Sequence, residues 1–126
     1  MSVELFRKLF AKRDEPLRGV PTLRRQKNYS AESGYAYEYF HEGWRLAAGA
    51  REYVFTVSGD RKTWFPLSVF VDEAAVRALA ENERYAVAKM ALFAAFDERE
   101  SPAVMRDPVR VPAARVAEML GRLGLA

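Results

Sequence analysis

The single histidine of this chain, His41, lies in the run Tyr35-Ala36-Tyr37-Glu38-Tyr39-Phe40-His41-Glu42-Gly43-Trp44-Arg45, among two carboxylates, an arginine and five aromatic rings. An imidazole beside a carboxylate is common machinery for moving protons, but both groups must converge on one proton. In an extended chain alternate residues share a face, so Glu38 and Glu42 go with Phe40 while His41 goes with the tyrosines. Parity therefore opposes a His–Glu pair within one strand. A small enzyme with an acid–base site of His41, Glu38, Glu42 and Arg45 needs a turn at Gly43, or a partner from elsewhere, to bring these groups together. A hydrogen-bonded structural histidine needs neither.

The second arrangement with chemical meaning is Tyr35, Tyr37 and Tyr39 in alternation, downstream of the bases Arg24, Arg25 and Lys27. Aromatic rings beside cationic side chains suit single-stranded nucleic acid, whose bases stack while phosphates meet the bases of the protein. Packing of the same rings beneath helices, as half of a sheet face, requires no ligand.

Other chemistries fail on residue type or spacing. The absence of cysteine removes disulfides, thiolate metal sites and cysteine nucleophiles, and one histidine removes any site built on two imidazoles. Ser58-Gly59-Asp60-Arg61-Lys62-Thr63 lacks the glycine spacing of a phosphate loop and reads as a hairpin turn. There is no nucleophile elbow, dinucleotide fingerprint or calcium loop, so no cofactor and no metal are expected. The longest apolar run, Met90 to Phe96, is far short of the roughly 20 residues that span a bilayer. No secretory signal is visible, and the cytoplasm is the default compartment.

The elements that would position these residues follow from charge and periodicity. The 126 residues suit one domain, and half of them are apolar. The net charge of +3 is uneven: residues 1–28 carry +5 and residues 29–126 carry −2. That asymmetry divides the chain into a basic N-terminal helix and connector (1–28) and a single domain (29–126). Ser2 is placed to cap a helix from about Val3 to Arg13, and Pro16, Gly19 and Pro21 break any regular element after it. The helix has an apolar side of Phe6, Leu9 and Phe10 that suits packing on its own domain or a second subunit.

Strands are expected around Tyr35–Phe40, Glu52–Val57 and Thr63–Val71, with Phe55 facing Phe65 across the Ser58–Lys62 turn. Trp44–Ala50 is ambiguous, and Gly49 suggests a turn of four or more residues. Pro66 implies an edge or a bulge. Asp72 is a plausible helix cap. Beyond it the chain forms either one helix or two, with Asn82 as a possible second cap. From Tyr85 to Phe96 only Lys89 is charged, so a helix over about 83–98 should be the centre of the fold. A short strand at Val109–Val111 and a last helix after Pro112, packing through Ala113, Val116, Ala117 and Leu120 and closed by glycine, complete the chain.

The sequence thus predicts an α+β fold, with an antiparallel sheet of three to four strands and helices mainly on one face. Phe40, Trp64 and Phe70 have the opposite parity to their neighbours and would line the uncovered face. An apolar face of that kind predicts a homodimer. The leading functional expectation is a small non-enzymatic binding or interaction module that self-associates, with a protein partner possible. Nucleic-acid binding through Arg24, Arg25, Lys27 and the tyrosine strand, and the His41 enzyme, are the alternatives.

Overall fold

A computed structural model describes residues 15–125, so the helix expected over 3–13 lies outside the described residues. Five strands form one mixed sheet in the order β1-β2-β3-β4-β5: β1 (Lys27–Ser30), β2 (Ala36–Ala47), β3 (Ala50–Ser58), β4 (Phe65–Asp72) and β5 (Val109–Val111). The first four are an antiparallel meander, and β5 returns parallel to β4 after the helices. The class is α+β. The strand count and the all-antiparallel pairing expected from sequence are corrected, because β1 arises within the connector and β5 joins the same sheet.

Alternation explains the layering. Tyr37, Tyr39, Tyr53, Phe55, Val57, Phe65, Leu67, Val69 and Val71 are buried on one face, beneath helix α2 (Glu81–Glu98). That helix contributes Val87, Ala88, Ala91, Leu92, Ala95 and Phe96 to the core, so the apolar helix is central as expected. Tyr37 stacks on Phe96 with centroids 4.4 Å apart, and Tyr29 of β1 stacks on Phe93 at 4.2 Å. The facing pair across the β3–β4 hairpin is Phe55 with Leu67, and Phe65 stands opposite Val57. The expected register was off by two residues, an even slip that keeps every side chain on its predicted face.

The ambiguous stretch Trp44–Ala50 is resolved as strand up to Ala47 and then a tight turn, with Ala47 paired to Ala50 across Ala48 and Gly49. Both turn residues have positive φ (49° and 83°), the hairpin geometry that follows strand twist. At the other hairpin, the Asp60 carboxylate accepts the backbone N–H groups of Lys62 and Thr63, each at 2.8 Å. Those donors hold its pKa down at about 2. Pro66 is tolerated because β5 pairs only with Val69–Val71, leaving β4 unpaired on that side at Pro66.

The segment after Asp72 is two helices. Asp72 caps α1 (Glu73–Val76) through an acceptor bond from the Ala75 N–H at 3.0 Å. The cap position of α2 is Ala80, not Asn82, with the Glu83 carboxylate accepting the Ala80 N–H at 2.9 Å. A 3₁₀ turn (Pro102–Arg106) buries Met105 on the way to β5. The last helix, α3 (Ala113–Leu123), packs through Val116 and Met119, leaves Ala113 and Ala117 exposed, and ends at Gly124 in the left-handed conformation. Among the described residues, no helix is long and apolar enough to cross a membrane.

Candidate functional site

The alternation that buries the tyrosines also separates the proposed catalytic groups. His41 faces α2, whereas Glu38, Glu42 and Arg45 lie on the opposite face of the sheet, each bonded to residues of that side. The four groups do not meet in one pocket, so the acid–base quartet is not assembled. A bulge at Glu42–Gly43 leaves His41 opposite Phe55 and Gly43 opposite Val54, so both Glu42 and Gly43 belong to the outer face. Gly43 permits this: its φ is 138°, and a Cβ there would lie 2.7 Å from the Arg18 carbonyl oxygen. The Arg18 backbone is bridged to Trp44 by two hydrogen bonds of 2.7 and 2.9 Å, which bind the connector to the edge of β2.

On that outer face three carboxylates are each met by a guanidinium. Glu42 takes a bidentate pair from Arg24 at 2.8 and 2.6 Å and a bond from Thr56 Oγ1 at 2.5 Å. The Arg24 bond is the main cause of its lowered pKa, and Thr56 adds to it against the cost of burial. Glu52, fully buried, accepts from Arg45 Nε at 3.0 Å and Ser68 Oγ at 2.5 Å. Glu38, 4% exposed, accepts from Arg61 at 3.0 Å and Gln26 at 3.3 Å. Carboxylates held by guanidinium groups in this way brace the outer face of the sheet.

Sequence parity placed Phe40, Trp64 and Phe70 away from the core tyrosines. Phe40 and Trp64 pack together at 5.4 Å, with the Arg24 guanidinium 3.7 Å over the Phe40 ring. Phe70 lies under Arg110 at 4.9 Å. All three rings are half-buried. The tyrosine strand offers little to a nucleic acid, because Tyr37 is 0% and Tyr39 3% exposed, leaving only Tyr35 on the surface. Of the three bases paired with it in that reading, Arg24 is bound to Glu42 on the far side of the sheet.

On the helix face, the connector, β1, β2, β3 and the start of α2 border two adjoining open clefts. The larger, about 520 Å³, is walled by Gly19, His41, Trp44, Tyr53, Glu81, Asn82 and Tyr85. The smaller, about 210 Å³, is walled by Pro21, Leu23, Arg25, Lys27, Tyr39, His41 and Tyr85. His41 and Tyr85 are common to both, with ring centroids 4.5 Å apart. Their positions follow from three elements: His41 precedes the β2 bulge, Tyr53 stands opposite Trp44 on β3, and Tyr85 is in the second turn of α2.

Burial lowers the His41 pKa, with the Glu42 charge opposing it. Burial raises Tyr39 and Tyr53, with Arg51 pulling Tyr53 back, and pushes Tyr85 up to about 12. Among the described residues, His41 Nε2 and the Tyr37 hydroxyl are buried without a hydrogen-bond partner, and the buried Tyr53 hydroxyl has the Arg51 guanidinium beside it. Glu81, the one carboxylate of the lining among the described residues, is engaged at both oxygens, by Arg51 at 2.6 Å and Arg84 at 3.1 Å.

Among the described residues no group of histidine and carboxylate side chains has the arrangement of a metal site. Sequence reasoning had found His41 and its face but not the cavity, since Tyr53, Tyr85 and Asn82 reach it from distant segments. No protein-family model matches the chain, and no curated protein or solved structure is similar to it, so its function has to be argued from this geometry.

Proposed function

We propose that the protein is a small non-enzymatic binding module whose ligand occupies the aromatic cleft around His41 and Tyr85. The observation that carries this reading is the buried His41 imidazole, whose Nε2 has no hydrogen-bond partner among the described residues, on a residue that borders both clefts. A buried polar group left unpaired costs on the order of 1–3 kcal/mol, so a fold that keeps one beside these clefts holds hydrogen-bonding capacity in reserve. Aromatic walls with a few polar groups are the usual composition of a small-molecule site. A binding role rather than catalysis is supported by the engaged state of Glu81 and by the separation of His41 from Glu38, Glu42 and Arg45.

Ligand-observed NMR with aromatic fragments tests the reading on the full chain. Fragments should bind the wild type and lose binding in Asn82→Trp, which fills the mouth of the larger cavity from an exposed position. No fragment binding, or equal binding to both proteins, would overturn it. Self-association through Phe40, Trp64 and Phe70 is the second part of the proposal and is supported by their common face alone.

A further inference from the structure

We infer that the smaller cavity binds an anion: the ligand is a small organic molecule bearing a carboxylate or phosphate on a planar body. This deepens the binding-module reading and rests on it. Most arginines of the described residues are committed, Arg24, Arg45, Arg51 and Arg61 to carboxylates and Arg99 to four backbone carbonyls. Arg25 and Lys27 differ. Neither has an ion pair, a side-chain hydrogen bond or a ring contact among the described residues, and both wall the same 210 Å³ cavity.

Their convergence has a backbone cause. Lys27 stands opposite Tyr39 in the β1–β2 ladder and so shares its side of the sheet, and Arg25, two residues earlier, follows the same alternation. Arg24 and Gln26, the intervening positions, turn to the other face and bind Glu42 and Glu38. The chain thereby separates Arg24, which is paired with Glu42, from Arg25 and Lys27, which have no partner among the described residues.

Among the described residues no carboxylate lines the smaller cleft, and its remaining walls are Pro21, Leu23 and the rings of Tyr39, His41 and Tyr85. Two exposed cations with no partner among the described residues give the mouth of this cleft a positive potential. The adjacent rings fit a planar body, and a guanidinium and an ammonium fit its anionic group.

Calorimetric titration of the full-length protein with benzoate, phenyl phosphate and the neutral benzamide is the test. Benzoate or phenyl phosphate should bind at least about tenfold more tightly than benzamide, the difference expected of charge-assisted hydrogen bonds. The comparison of benzoate with phenyl phosphate shows which anionic group is preferred. The double variant Arg25→Ala/Lys27→Ala should abolish that preference with an unchanged thermal midpoint, since both residues are exposed. Equal affinity for benzamide and the anions would overturn the anion assignment while leaving a binding module in place. Anion affinity unmoved by the double variant would overturn the location. No binding of any of the three would overturn this inference, and the fragment experiment with Asn82→Trp would still judge the module on its own.

Discussion

The Arg51 guanidinium lies 3.6 Å from the centroid of the Trp44 ring, across the β2–β3 pair, and is sandwiched there by carboxylates. It donates to Glu73 of α1 at 3.2 Å and to Glu81 of α2 at 2.6 Å, with its own side chain 4% exposed. One side chain thus joins the hairpin to two helices and fixes the floor beneath the His41 cleft.

Replacing Arg51 by alanine should cost about 2 kcal/mol, less than for a fully buried pair because Glu81 stays largely solvated. Urea denaturation reads the loss. Trp44 fluorescence should change in the same variant before any unfolding, because the cation leaves its ring.

The Gly43→Ala variant forces a side chain into a positive-φ position where its Cβ would meet the Arg18 carbonyl oxygen at 2.7 Å and Leu17 Cβ at 3.0 Å. A destabilisation of about 2 kcal/mol is expected. Hydrogen exchange should show the Arg18 and Trp44 amides, which bond each other's carbonyls, losing protection first.

His41 provides a pH test. Its native pKa lies below the ordinary 6.5, so the unfolded chain binds the proton more readily. Stability is therefore full above about pH 6.5 and falls as pH drops toward the lowered native value. Denaturant midpoints at pH 7.5 and pH 5.5 should differ in the wild type and converge in His41→Gln. The Glu42 carboxylate, whose pKa is also lowered, loses its contribution only below about pH 4.5, outside that window.

Asp97 holds the start of the sheet to the end of α2, accepting from Tyr29 Oη at 2.8 Å and from the Glu32 N–H at 2.9 Å. The bond to Asp97 is the main reason the Tyr29 pKa stands at about 12, with burial second. Stability from this contact is present below the ordinary phenol value of about 10 and is lost as pH rises toward 12. Asp97→Ala should cost about 1–2 kcal/mol at neutral pH. An absorbance titration should show one phenol returning toward its ordinary range.

Trp64→Glu tests the second proposed surface. A dimer that becomes a monomer with unchanged circular dichroism supports self-association through the outer face. A mass that is the same in both proteins counts against it.

Much of this architecture is legible in the sequence because alternation is a local signal. Tyr37 and Tyr39 read as one face, and so does the opposite placement of His41 and Glu42. The register of Phe55 escaped because a two-residue slip preserves every face and leaves no trace in the pattern. The strand β1 escaped because Lys27-Asn28-Tyr29-Ser30 has one apolar residue; its order comes from pairing with β2 and from Tyr29 stacking on Phe93. Glu52 looks like a surface residue, and bonds from Arg45 and Ser68, brought from neighbouring strands, help make its burial tolerable. The cleft is not legible for a related reason. Its walls come from the connector, three strands and a helix, and no short-range pattern relates Arg25 to Tyr85.

Both margins of the sheet end in very short strands, four residues in β1 and three in β5. β1 presents lysine, asparagine and serine, β4 presents Pro66 where β5 does not reach, and the connector is bridged to β2 at Trp44. Few backbone groups are left in a row for another chain to add a strand. The described part of the molecule is therefore poorly suited to templated growth into fibrils, and the ligand proposed above would meet side chains rather than a strand edge.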